Sequence, residues 1–407
     1  MTALAAAGPA ARASVLRGSW VAALWVVVLF SNIPSYIEAF VSPALVPLHW
    51  IIVLLALAAV QLRWPVDQRG VVRFLVVLTA YEVMCLAWYV AQGGGDPIVV
   101  RERLLGLAVC AVAYMVFASS PSALRAARVA LAWVVVFSAA VNVWDITHPF
   151  SLIPADSEFS LLGRAAGFFI NPNQSGAALV VGFALSVSVV PRSWRIPYLV
   201  MVAVGVVLTF SRAALIGLVL VSLALAWGGR ALSLKQLGLA IAAIALVGWI
   251  AWLVTAAELE SRFHIDPDVA ADRLLWILDP TGRSDYSQEE REVLVERGWY
   301  QFERAPFTGN GVGSTELWEE RSSTHDEYVM LASDFGFLGL LAFPFIIFTA
   351  MGMRLRWSDD SSVAGLFLLF WGLFSHNVLT EAYLLLAIGL LAALARAEAD
   401  GRALETS

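Results

Sequence analysis

Residues 325–339 read HDEYVMLASDFGFLG, a histidine and two carboxylates running straight into an apolar stretch. Before them, from about Ala257 to Asp326, lie roughly 70 residues rich in charge, proline and glycine. On either side of that insertion the chain consists of helix-length apolar runs. A membrane chain with one long polar insertion that ends on a histidine suits an enzyme working at the membrane surface. A channel or transporter built for passage has little use for such an insertion, whereas surface chemistry needs polar groups held over an apolar scaffold.

Composition supports that reading. The chain is 60% hydrophobic and 14% charged, with a mean hydropathy of +0.77, outside the range of soluble domains. A span takes about 20 apolar residues. Runs of that kind predict twelve transmembrane helices near 18–40, 44–62, 71–91, 99–118, 124–144, 168–190, 195–210, 212–228, 236–256, 329–352, 361–377 and 380–396. Pro34 interrupts the first, so the first two spans can also be read as one long helix and one short one. The expected fold is an all-α polytopic membrane protein. Residues 1–256 form about nine spans, 257–326 a large extracytoplasmic loop carrying short helices, and 327–407 about three further spans and a tail.

Arginines set the expected orientation. With the N-terminus inside, the inner segments hold Arg12 and Arg17, Arg63, Arg69 and Arg73, Arg125 and Arg128, Arg192 and Arg195, Arg230 and Lys235, Arg354 and Arg356, and Arg396 and Arg402. Each has at least two basic residues, as the positive-inside bias requires, and the acidic insertion falls outside, where long segments escape that bias. Both termini are then cytoplasmic in the cytoplasmic (inner/plasma) membrane, with Met1–Gly18 an uncleaved signal anchor. Sixteen tryptophans, among them Trp20, Trp64, Trp88, Trp144, Trp194, Trp227 and Trp357 near span ends, fit interfacial belts. Cys85 and Cys110 lie within spans, so no extracellular disulfide framework is indicated.

On this topology Arg101, Arg103, Arg164 and Arg212 stand at outer span edges. For Arg101 and Arg103 the expectation is snorkelling to the headgroups. Arg212, in Leu208-Thr-Phe-Ser-Arg-Ala214 between two spans with almost no loop, is expected to face a polar cavity or an anion. Within the insertion, Ser287-Gln-Glu-Glu290 is a capping-box pattern, predicting a helix to about Arg304 that Pro306 stops. Arg291, Val295, Trp299 and Phe302 are expected to share its docking face. Arg291 sits in the first turn, against the macrodipole; it either binds an anion or pairs with Glu290 and Glu292. The series Pro306-Phe-Thr-Gly309-Asn-Gly311-Val-Gly313 is a run of tight turns that lets the backbone approach a ligand or a neighbouring helix. His325 has acidic neighbours, Asp326 and Glu327, expected to hold it as a base and to raise its pKa. His376, with Asn377 and Glu381 between the last two spans, either lines an acceptor channel or caps a helix.

Four segments, in order, resemble the superfamily of O-antigen ligases and Wzy-type polymerases. Arg164 through Asn173 resembles R-x-x-G-x-x-x-N-P-N, and Thr209-Phe-Ser-Arg212 resembles T-x-S-R. Arg291, fifteen residues before Pro306 and followed by Gly309 and Gly311, resembles R…P-x-x-G-x-G. His325, Tyr328, Gly336 and Gly339 fit H-N-x-Y-L…E-x-G-x-x-G. The chain departs from the pattern at Asp326 in place of Asn, Asp334 in place of Glu, and Val295 where an aromatic is usual. The resemblance covers about 160–340 and implies a GT-C-like membrane glycosyltransferase. Its donor would be a glycan on a polyprenyl pyrophosphate, its acceptor a hydroxyl on a glycan or glycolipid, and its setting the lipid bilayer, with no nucleic acid.

In that chemistry Arg212 and Arg291 would neutralise the leaving pyrophosphate and His325 would orient the acceptor hydroxyl or take its proton. These three are the expected catalytic residues. Arg164, Asn173, Tyr328 and His376 are the expected substrate-binding residues. No metal or cofactor is required if arginines carry the anion. The first rival is a twelve-helix transporter for a glycan or lipid-linked intermediate, for which Asp67-Gln-Arg69-Gly70 faintly resembles a major-facilitator loop. Its long loop would, however, be central and inside. A metal-dependent glycosyltransferase could draw on Glu38 and Asp326-Glu327, but no D-x-D stands in the first outer loop. A non-catalytic glycan-binding protein would not need outer-face arginines.

Overall fold

The structure is a computed structural model, and it describes residues 18–61, 69–91, 97–157, 163–229, 231–242, 286–315 and 323–401. Every regular element among them is helical. In chain order they are α1 (Gly18–Phe30, ending in a π-helical turn), α2 (Ile33–Phe40), α3 (Pro47–Gln61), α4 (Arg69–Ala91), α5 (Pro97–Ala118), α6 (Pro121–Thr147) and α7 (Pro172–Ser186). There follow α8 (Arg195–Leu208), α9 (Arg212–Gly228), α10 (Tyr286–Arg304), α11 (Glu327–Phe335), α12 (Phe337–Ala350), α13 (Asp360–Trp371) and α14 (Ala382–Ala399).

Local sequence explains where several of these begin. Ser120 caps α6 by accepting from the Ala123 amide, and Pro121 follows at the first helical position. Asn171 and Pro172 do the same for α7, with the Asn171 side chain accepting from Asn173. A side-chain acceptor ahead of a proline satisfies one free amide and removes another. At the centre of the bundle runs α14, buried on all sides from Tyr383 to Ala395. Apolar residues all round a helix are the mark of a core element. Its tightest partner is α5: a side chain at Gly389 would stand 2.9 Å from the Cys110 carbonyl, a close approach that small residues permit in membrane bundles.

The twelve-span count is not confirmed among the described residues. There, three helices are long and apolar enough to cross a membrane, Val72–Ala91, Pro121–Thr147 and Ala382–Ala399. The pair α1 and α2, bent by 42°, makes a fourth if counted as one broken span. The break lies at Ser31-Asn32, just before Pro34, so the predicted first span is two helices. Helix α5 is long enough, but Arg101, Glu102 and Arg103 sit in its first turns. The predicted span at 329–352 is divided between α11 and α12 at Gly336, whose φ of 68° combined with ψ of −148° suits only glycine. The remaining apolar helices, including α9 and α13, are shorter than 18 residues. Most of the 236–256 span, the insertion from 257 to 285 and Trp64 lie outside the described residues.

Polar side chains gather at the two ends of the bundle. At one end Arg128 of α6 pairs with Asp360 of α13 at 2.8 Å, Arg195 of α8 donates to the Ala231 carbonyl, and the Asp360 amide donates to Glu398 of α14. Trp194, Trp227 and Trp357 are exposed there. The residues of the candidate site lie at the other end, because the connected helices alternate in direction.

Arg103 does not snorkel. It is 1% exposed and pairs with Asp334 at 2.6 Å, while its guanidinium also lies 5.5 Å from the Phe335 ring. Asp334 accepts further bonds from the Gly313 and Ser314 amides and the Ser314 hydroxyl. The glycine series therefore approaches a neighbouring helix: a Cβ on Gly309 would fall 2.1 Å from the Asp334 carbonyl oxygen. Removing one partner of a buried ion pair leaves an uncompensated charge, at roughly 3–5 kcal/mol. Asp334→Ala is thus expected to lower the thermal midpoint of the detergent-purified protein sharply. The paired change Arg103→Met with Asp334→Leu should recover the part of the loss due to the unpaired guanidinium. The remainder is the Gly313 and Ser314 bonds that leucine cannot accept. No recovery at all would mean that the ion pair does not hold the joint.

Candidate functional site

The site is built from three short turns, each leading into a helix. In the first, Arg164 donates from Nε to the Thr209 carbonyl at 3.0 Å and from Nη2 to the Asn173 side-chain oxygen at 3.0 Å. The Ala165 amide donates to the Leu208 carbonyl at 2.8 Å, so this strand of chain is fastened along the turn between α8 and α9. Gly176 brings α7 against the same turn, where an added Cβ would stand 2.6 Å from Ala214 and 3.1 Å from the Thr209 hydroxyl. Arg212, half-buried, is the first residue of α9. Two helix N-termini, those of α7 and α9, therefore open beside Arg164 and Arg212. Free amides and the positive ends of the macrodipoles make such a place favourable to an anion.

The second centre lies where the insertion re-enters the bundle. Helix α10 packs through Leu294 and Phe302, each 5% exposed, with Gly298 between them. A Cβ on Gly298 would stand 2.5 Å from Thr324 and 2.8 Å from Val329. The expected docking face is corrected by about one residue: Phe302 is buried, but Trp299 is 43% exposed and its indole N–H donates to Glu303 at 2.9 Å. The face is set by where glycine allows contact, which hydrophobic spacing alone does not reveal. Arg291 stays exposed one turn ahead of Leu294, near enough to act electrostatically on His325.

His325 is not held by its acidic neighbours. Asp326 caps α11 by accepting from the Val329 amide at 2.9 Å, and buried Glu327 accepts from the Val378 amide at 2.9 Å. Each contact takes one oxygen of a carboxylate considered as an oxygen ligand, Asp326 Oδ1 and Glu327 Oε2. In place of the raised pKa expected from those neighbours, burial and then the charge of Arg291 push His325 down to about 4. In the loop between α13 and α14, His376 is pushed down to about 3 by burial and by His325. The two imidazoles meet edge to face with ring centroids 5.1 Å apart. His376 therefore belongs beside His325. Tyr328 is half-buried and donates its hydroxyl to the Leu369 carbonyl at 2.9 Å, tying α11 to α13.

The two centres are joined by a pair that sequence reasoning passed over. Gln174, next to Asn173, donates from Nε2 to Glu381 Oε1 at 2.6 Å. Glu381 lies on the His376 loop, so Asn173 reaches the arginine side and Gln174 the histidine side of the same turn. Glu102 of α5 was likewise unremarked, and it borders a cavity with His376 and Glu381. Glu102 precedes Arg103 in a run that reads as interface, and only the packing of α5 on α14 brings it here.

Backbone strain marks the same turns. Ile170, Phe210 and His325 adopt φ of 66°, 49° and 53°. A non-glycine residue in the left-handed region costs about 1–3 kcal/mol unless its surroundings enforce it. One such residue in each of the three turns is consistent with positions fixed for more than packing.

The fold and these turns define a membrane protein whose helical bundle carries an arginine- and histidine-lined polar centre at one end. Residues 197–344 match the family model described as O-antigen ligase, which bears out the resemblance to the O-antigen ligase and polymerase superfamily. The match contains Arg212, Arg291, His325 and Tyr328, and stops short of Arg164, His376 and Glu381. It supports glycan transfer of the ligase or polymerase type. No curated protein matches the chain.

Proposed function

We propose that the protein transfers or polymerises a glycan from a polyprenyl-pyrophosphate donor onto an acceptor hydroxyl at the outer face of the cytoplasmic membrane, on a GT-C-like scaffold. What carries the reading is the convergence of Arg164, Arg212 and the α7 and α9 N-termini, joined through Gln174 and Glu381 to the His325–His376 pair.

In the reaction the acceptor oxygen bonds to the anomeric carbon as the carbon–oxygen bond to the pyrophosphate breaks. The electron pair leaves with the lipid pyrophosphate, and the acceptor proton passes to His325. Arg212 and Arg291 take the phosphate oxygens, since a guanidinium binds them in pairs and stays charged. Preorganised donors of this kind contribute on the order of 2–4 kcal/mol each. Arg164 holds Asn173 and the α8–α9 turn in place. His325, neutral at physiological pH, is ready to accept a proton without first losing one. An anion bound to Arg291 would offset one cause of its low pKa, so donor binding makes His325 a stronger base.

Release of polyprenyl pyrophosphate from a defined lipid-linked glycan by the purified protein tests the reading directly. A transporter or a glycan-binding protein releases none. Orientation is tested separately: a reporter fused after Gly282 should behave as extracytoplasmic and one after Trp357 as cytoplasmic. An inside signal from the Gly282 fusion would place the arginines and His325 on the wrong side for a flipped donor.

A further inference from the structure

Beside the histidine pair lies a cavity of about 400 Å³, bordered by Glu102 of α5, by Ser323, and by His376, Asn377, Thr380 and Glu381 of the α13–α14 loop. Its volume falls within the range of small-ligand sites, about 300–1,000 Å³. No lysine or arginine is among its described lining residues. His376 Nδ1 is shielded from solvent and has no hydrogen-bond partner among the described residues, although a buried polar atom ordinarily finds one. The cavity is therefore polar, acidic and incompletely satisfied, and it abuts His325 through the His376 ring.

Resting on the donor reading above, we infer that this cavity is the acceptor subsite and that it selects an uncharged, hydroxyl-bearing sugar over an acidic one. A carboxylate accepts strong bonds from sugar hydroxyls and repels a carboxylate or phosphate brought near it. Burial raises the Glu381 pKa to about 7, so Glu102, the exposed one of the two, carries more of that repulsion. Ser323, Asn377 and Thr380 add neutral donors and acceptors. The neighbouring anion site has the opposite character, with Arg164 and Arg212 at helix N-termini. Donor and acceptor are thus sorted by charge on the two sides of the Asn173-Gln174 turn, because Asn173 bonds Arg164 and Gln174 bonds Glu381. An acidic acceptor would be drawn toward Arg164 and Arg212 rather than held in this cavity.

The test is saturation-transfer NMR on the full chain in detergent, with methyl glucoside as the neutral probe and methyl glucuronide as the acidic one. The wild type should bind the glucoside at least about tenfold more tightly, equivalent to about 1.4 kcal/mol. Glu102 is exposed in the second turn of α5, so Glu102→Lys should fold normally and shift the preference toward the glucuronide. Glu381→Gln keeps an oxygen for Gln174 and should weaken glucoside binding with little change in thermal midpoint. Equal binding of the two probes by the wild type, or a preference unmoved by Glu102→Lys, overturns the inference. Inorganic pyrophosphate, titrated in parallel, reports the arginine side alone. If pyrophosphate fails to bind, the donor reading falls, while the glycoside preference still decides what the cavity selects.

Discussion

His325→Ala is expected to abolish glycan transfer, by about 10²–10⁴-fold as for loss of a general base, while binding of pyrophosphate to the arginine side is retained. The separation is built into the structure. Arg164 and Arg212 are positioned by Asn173, Thr209 and the α7–α9 contact, none of which passes through His325. His376→Ala should act differently, raising the acceptor KM with much less effect on kcat, because it borders the cavity and touches His325 only through its ring. The pH profile carries the same information. The active form of His325 is neutral, and burial with Arg291 lowers its pKa to about 4. Protonation therefore sets in only as pH falls toward that value, and transfer should stay nearly level from pH 7 to about 5, where an unperturbed histidine near 6.5 would already be failing. A steep loss centred near pH 6.5 would show that His325 is better solvated than its packing implies. A near-normal product from His325→Ala, with His376→Ala inactive, would move the acceptor-side role to the α13–α14 loop.

The local patterns were readable in the chain, and the long-range ones were not. Pro172 after Asn171 and Pro306 after α10 each mark a boundary through a fixed backbone preference, and each boundary falls there. Arg164 and Asn173 are nine residues apart, so their partnership follows from a single tight turn. Arg103 and Asp334 are 231 residues apart, and Gln174 and Glu381 are 207 apart. Nothing in periodicity can pair them; only the placement of α5 and α7 against α14 does. The same limit explains His325. Proximity along the chain suggested that Asp326 and Glu327 would hold it, but both carboxylates turn to backbone amides. The twelve-span count is not confirmed for a related reason, since hydropathy averages over a break such as Ser31-Asn32 or Gly336 that divides a run into short helices.

Arg212→Lys and Arg291→Lys should each lose most transfer activity, on the order of 10²–10³-fold for a lost preorganised donor, while the protein still inserts and folds. Lysine keeps the positive charge and loses the planar fork, so the exchange isolates paired recognition of phosphate oxygens from mere attraction. The two arginines should fail in distinguishable ways. Arg212 begins α9 beside the Thr209 turn, where the helix terminus still offers amides to an anion. Its loss should weaken pyrophosphate binding as well as turnover. Arg291 stands exposed on α10 and acts on His325. Removing its charge with Arg291→Gln should raise the histidine pKa toward its ordinary value and carry the acid limb of any residual activity upward with it. Turnover that lysine restores in full at either position would mean that the guanidinium is not gripping phosphate there, and snorkelling toward the headgroups would then account for that arginine.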